Sequence, residues 1–180
     1  MGRLDESLQL SHRAIELDPL NAHSRAGLGE IEFRAGKLDE AEAHLKKARE
    51  IRPDFLSSMF LSEIYVMQGR PQDALPEIER VGYDPVRTFL YATAYHARGR
   101  EKESDAALRE LIAKDQAIDP YLIAAIYAVR NQSDEAFEWL DRAYAKHDDG
   151  LICIKVEPLL RSLQNDPRFP ALLKKLNLPN

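Results

Sequence analysis

AHSRAGLGEIEFRAGKLDEAEAHLKKAREIRP, running from Ala22 to Pro53, is the stretch whose reading decides the fold. Leu28, Ile31, Leu38 and Leu45 recur at helical spacing and make an apolar stripe. Gly36 interrupts that stripe, so the stretch reads as two helices joined by a tight turn. Gly29 before the turn and Ala41 after it are small, as two helices packed side by side require where they cross. Asp39, Glu40 and Glu42 precede Lys46 and Lys47 by about one helical turn, which supports i, i+4 pairing on a solvated face.

The arrangement recurs along the chain. A glycine followed by the polar start of a helix stands at Gly2, Gly36, Gly69 and Gly99, and Asn131 takes the fifth place, giving steps of 34, 33, 30 and 32 residues. Five positions after each comes a small residue: Ser7, Ala41, Ala74, Ser104 and Ala136. Four positions before the last three turns stands a tyrosine: Tyr65, Tyr95 and Tyr127. Asp18-Pro19, Pro53-Asp54, Asp84-Pro85 and Asp119-Pro120 separate the units, where aspartate can cap the next helix and proline fits its first turn. The pattern predicts helices over 3–17, 22–35, 38–51, 55–68, 71–81, 85–98, 101–116, 120–130, 133–146, 158–164 and 167–176. More than about 65 % helix and no sheet follow from it. Leu151 to Val156, a β-branched run, breaks the helical period and reads as a packed connector.

Residues 22–53 resemble the tetratricopeptide repeat, a helix-turn-helix unit of about 34 residues marked by a Leu-Gly pair, an alanine, an aromatic and a closing proline. Leu28-Gly29, Ala41, Ala48 and Pro53 fill those roles, with Leu45 where an aromatic is usual. Later units depart from the pattern: Ser62 and Ala92 replace Gly29, and Pro71 replaces Leu38 in a first turn that tolerates it. The resemblance implies an all-α, right-handed superhelical solenoid of antiparallel helix pairs. Residues 1–147 are expected to form the repeats, and 148–180 a connector with C-terminal capping helices.

Both ends carry further expectations. With Gly2 as a turn glycine, the chain begins halfway through a repeat. The apolar face of its first helix, Leu4, Leu8 and Ile15, then lacks a partner and invites self-association. From Ser133 through Trp139-Leu140 and Asp166-Pro167-Arg168-Phe169 to Leu178, the chain looks like the tail closing such arrays in bacterial multidomain proteins, behind a nucleotide cyclase, a kinase or a winged-helix DNA-binding domain. Leu159, Leu160, Leu163, Phe169, Leu172, Leu173 and Leu176 supply the one-sided apolar surface a solenoid end needs, covering the last hairpin around Trp139.

Charge and motif content narrow the function. A net charge of -5 and a pI near 5.6 argue against a nucleic-acid partner, which needs a clustered basic face. No apolar stretch has the length of a membrane span and the start lacks a signal-peptide core, so the expected location is cytoplasmic. The single cysteine, Cys153, excludes an intrachain disulfide and reads as a buried small hydrophobe. The five histidines make no helical zinc pair, and His147-Asp148-Asp149-Gly150 lacks the further ligands of a calcium loop. With no nucleophile elbow, phosphate loop or dinucleotide fingerprint, neither a cofactor nor catalysis is expected.

What remains is binding. In the resembled fold the first helix of each hairpin lines a concave face. Counting turns from Leu28-Gly29 assigns to that groove His23, Ala26, Glu30, Phe33 and Arg34, then Leu56, Met59, Glu63, Val66 and Met67, then Val86, Phe89, Thr93 and His96, and finally Tyr121 and Ala125. Apolar anchors with two acids predict a protein or peptide ligand carrying apolar groups and a basic one. The Lys and Asn clamp that some family members use for a terminal carboxylate is missing, its places holding Ala26, Glu30, Met59 and Glu63. The expectation is a protein-interaction module; the alternative is a regulatory or assembly segment of a larger signalling enzyme or transcription factor.

Overall fold

The computed structural model describes residues 2–114 and 119–178, of which 77 % are helical and none lies in a strand. In order come α1 (Gly2–Leu17), α2 (Ala22–Arg34), α3 (Leu38–Ile51), α4 (Phe55–Met67), α5 (Pro71–Ile78), α6 (Asp84–Ala97), α7 (Glu101–Ala113), α8 (Pro120–Val129), α9 (Ser133–Lys146) and α10 (Arg168–Lys175). Two 3-10 stretches, Asp149–Cys153 and Pro158–Leu163, lie between α9 and α10. The hairpins α2/α3, α4/α5, α6/α7 and α8/α9 stack in sequence as a solenoid of helix pairs. Each first helix packs on the next first helix and on the second helix before it. Among the described residues no helix is long and apolar enough to cross a membrane.

Each hairpin turns on a residue in the left-handed region: Gly36 at φ 78°, Gly69 at 72°, Gly99 at 69° and Asn131 at 58°. There the chain folds back on the last turn of the first helix. Gly36 N–H donates to the Phe33 carbonyl and Lys37 N–H to that of Glu32, and the same two bonds recur at 69/70, 99/100 and 131/132. Glycine adopts this conformation without a Cβ penalty, and asparagine is the side chain that best tolerates it. The tyrosines four positions upstream, Tyr65, Tyr95 and Tyr127, supply the carbonyl for the outer bond.

The small residues lie where the helices of a pair cross. Ala41, Ala74, Ser104 and Ala136 are fully buried, and a Cβ added to Gly29 would stand 2.6 Å from Leu45 Cγ. Ser104 uses its place to donate a hydroxyl hydrogen bond to the Ala92 carbonyl at 2.6 Å. Ala136→Leu is therefore expected to overpack the α8/α9 crossing and cost about 1–3 kcal/mol. Urea unfolding would show this as a lower midpoint at constant slope, and an unchanged midpoint would mean that the crossing has spare room.

Several elements differ from the sequence expectation. Helix α5 stops at Ile78, three residues early, and contains Pro76, which has no N–H to donate to the helix ladder. Helix α7 ends at Ala113, and the rest of its expected length, at 115–118, lies outside the described residues. The stretch expected as a helix at 158–164 is a 3-10 segment opened by Glu157, whose side chain accepts from Leu159 N–H. Helix α10 lies along α9, with Arg168 to Asp134 at 2.8 Å, Lys175 to Asp141 at 2.9 Å and Arg168 over the Phe137 ring at 4.3 Å. That covers the Phe137 face; Trp139, two steps of about 100° further round, is buried with Arg142 over its ring at 4.2 Å. At the other end α1 packs on α2, burying Leu8 and half-burying Leu4 and Ile15, while Leu10 and Leu17 stay exposed.

Candidate functional site

Helices α2, α4, α6 and α8 form the inner face of the solenoid, and the chain's own tail lies in it. Asp148 begins the crossing at the N-terminal end of α8, where its carboxylate accepts from Tyr121 N–H at 2.9 Å and from Gly150 N–H at 2.9 Å. A Cβ on Gly150 would stand 2.4 Å from the Tyr121 ring, so only glycine lets the tail lie this close. The tail follows α8 to its other end, where Ser162 donates to the Ala128 carbonyl at 2.8 Å. It also reaches the first complete hairpin: Glu157 comes within 3.9 Å of Arg34, and the Arg161 guanidinium sits beside Gly36.

Under the tail is a cavity of about 240 Å³. Arg34 comes from α2, Met59, Phe60 and Glu63 from α4, Val86 and Phe89 from α6, and Tyr121, Leu122 and Ala125 from α8, while Asp148, Asp149, Gly150, Cys153, Glu157 and Leu159 close it from the tail. Asp119 stands at its edge. The lining is apolar on the helix side and acidic overall. Arg34 Nη2 holds Glu30 at 2.9 Å, and its guanidinium lies 6.0 Å from the Phe60 ring centroid. Burial, and then the nearby Glu157 carboxylate, push the Glu63 carboxyl well above its ordinary 4.5, against the pull of Arg34. Burial also raises Glu157, partly offset by Arg34 and by the Leu159 N–H. The Tyr121 hydroxyl is raised by burial and by the same two carboxylates.

Of the residues assigned to the groove from sequence, the cavity brings together Arg34, Met59, Glu63, Phe89 and Tyr121, along with Val86 and Ala125. Glu30 stands behind Arg34 as its ion-pair partner. Phe33 is fully buried against Phe60, with ring centroids 5.6 Å apart, and Thr93 is buried with its hydroxyl donating to the Leu90 carbonyl; both are core residues of the inner face. Val66 is half-buried outside the cavity, His23 is exposed in the first turn of α2, and His96 turns to Glu101 at 3.1 Å. Counting turns could not reveal Glu157, Cys153 and the acids at 148–149, because they arrive from the tail. Cys153 is half-buried on the cavity wall instead of lost in the core. The readable signal was Glu157 itself, an acid set in the apolar stretch from Leu151 to Leu160.

With this geometry in hand, the tetratricopeptide repeat family model matches residues 1–59. Among solved structures the chain is similar to YrrB, described as a TPR protein with an unusual peptide-binding site. The two share 21 % identity with a TM-score of 0.55 over 86 % of this chain and 83 % of that one. No curated protein matches the chain in sequence. The family model thus matches about the first third of the chain, and the likeness to YrrB, over 86 % of the chain, is one of fold.

Proposed function

We propose that this protein is an interaction module that takes a peptide or a protein segment on its inner face. The observation that carries this reading is the convergence of side chains from four successive first helices on one concavity, apolar on its walls and acidic in its lining. A repeat array is suited to this task because stacking repeats its surface at a fixed step, so an extended ligand meets equivalent positions in turn. The tail covers the cavity in its deepest part. The accessible remainder is the rim at the N-terminal ends of the first helices, where His23, Leu56 and Tyr83 are exposed.

Leu56 lies one helical turn before Met59 on α4 and is 44 % exposed, so it is the apolar rim position to test. Peptides selected from a displayed random library on the parent chain should be enriched in apolar and basic residues. Leu56→Arg should weaken them by at least about tenfold, since it puts charge into an apolar contact. Lys102→Glu, on the exposed side of α7, should leave them unchanged. Selected peptides that lose affinity to Lys102→Glu and not to Leu56→Arg would place binding on the outer helices and refute the inner-face reading.

A further inference from the structure

The cavity holds polar groups that the fold leaves without hydrogen-bond partners. The Tyr121 hydroxyl, on a residue only 8 % exposed, has no hydrogen-bond partner among the described residues, and neither has Arg34 Nη1. Glu63 is 7 % exposed and accepts no hydrogen bond from any described residue. Buried polar atoms are nearly always satisfied, by protein, by ordered water or by a ligand, and here two unpaired ones face one cavity. Carboxylates outnumber the one guanidinium: Glu63, Glu157, Asp119 and Asp149 share the lining with Arg34, which is already engaged by Glu30. Asp148 is taken up by the backbone of Tyr121 and Gly150.

We propose that this cavity binds one organic cation, an ammonium or guanidinium on a short apolar stem, with its head between the Glu63 and Glu157 carboxylates and the Tyr121 hydroxyl and its stem against Met59 and Phe89. The proposal rests on the inner face being the binding face and names the chemistry taken there. An anion would meet more carboxylates than guanidinium groups in this lining. A bare metal ion lacks its ligand set, since no group of three or more His, Cys, Asp or Glu among the described residues is placed to hold one. The cation can be a free amine or guanidine, or the side chain of a lysine or arginine in a peptide.

Binding should move a proton. Glu63 faces Glu30 and Arg34 from α2, Tyr121 from α8, and Glu157 and Cys153 from the tail, and burial favours its neutral acid. An arriving cation favours the carboxylate, so the acid ionises, its proton leaves to solvent, and the cation pairs with the charge that remains.

Isothermal titration of the full chain with N-butylguanidinium and with acetyl-Phe-Arg-amide tests this and separates the free cation from the side chain. One or both should bind at a single site, more tightly at about pH 8 than at about pH 5, with a heat that changes with the buffer's ionisation enthalpy. Glu63→Gln should lower affinity by at least about tenfold. Tyr121→Phe, which keeps the ring and removes only the unpaired hydroxyl, should lower it about threefold. Pentanol and pentanoate should not compete. Neither cation binding at up to about 10 mM, equal binding by the parent and Glu63→Gln, or tighter binding of pentanoate through Arg34 would each overturn the proposal. A chain that captures peptides at the Leu56 rim yet binds neither cation would keep the interaction reading and lose this one; cation binding without peptide capture would do the reverse.

Discussion

Ending the chain at His147 is expected to lower the melting midpoint by more than about 10 °C and to leave a protein that aggregates on heating. The segment removed buries Leu151, Ile154, Leu159, Leu160, Leu163, Phe169, Leu172 and Leu173, each contributing about 1.5–3 kcal/mol when fully buried, offset by the cost of ordering the segment. Its loss uncovers Phe137 on α9 and the cavity wall around Tyr121, and it strips the Asp148 cap from α8. In a repeat protein such an end has no neighbouring unit to cover it. Circular dichroism should still report helix for residues 1–147, because the turns and crossings of the hairpins do not depend on the tail. A truncated chain that melts with the parent and stays monodisperse would mean that the tail adds nothing to the array.

Replacing Arg34 with Met should cost about 3–5 kcal/mol at pH 8, since it leaves buried carboxylates without their counter-charge. Glu63 and Glu157, both nearly buried, already have pKa values raised above their ordinary 4.5 with Arg34 present, and without it they rise further. A raised acid holds its proton in the fold where the unfolded chain has lost it. Its contribution is therefore fully present below the unfolded value and disappears as pH rises through the folded one. The Arg34→Met penalty should then shrink toward about pH 5, as the raised acids take up protons in the fold, and grow toward pH 8. Glu63→Gln should act in the opposite sense, raising stability at pH 8 and adding little at pH 5. Chemical unfolding at the two pH values measures both, and a penalty for Arg34→Met that is the same at each would show that the carboxylates do not face it.

The repeat was legible because its landmarks are enforced by backbone geometry. Gly36, Gly69, Gly99 and Asn131 recur since each hairpin stops its first helix in the left-handed region, and Ala41, Ala74, Ser104 and Ala136 recur since each crossing leaves no room for more. Helical counting likewise assigns Arg34, Met59, Glu63, Phe89 and Tyr121 to one face, and these line one cavity. It failed where the third dimension intervened. Phe33 and Thr93 have the right phase and yet pack into the core, because adjacent first helices press together there. Glu157 and Gly150 belong to a segment with no helical period, and nothing local says that the segment folds back over α8 to reach Arg34. Long-range return of a chain is set by which cavity it fills, a property of the assembled array.

We propose that ligands meet this protein on the face made by α2, α4, α6 and α8. Amide hydrogen exchange with and without a saturating selected peptide tests it directly. Added protection should fall on those four helices and on the tail from Asp148 to Leu163, with α3, α5, α7 and α9 unchanged on their outer turns. Protection confined to the second helices, with the first helices and the tail exchanging as in the free chain, would contradict it.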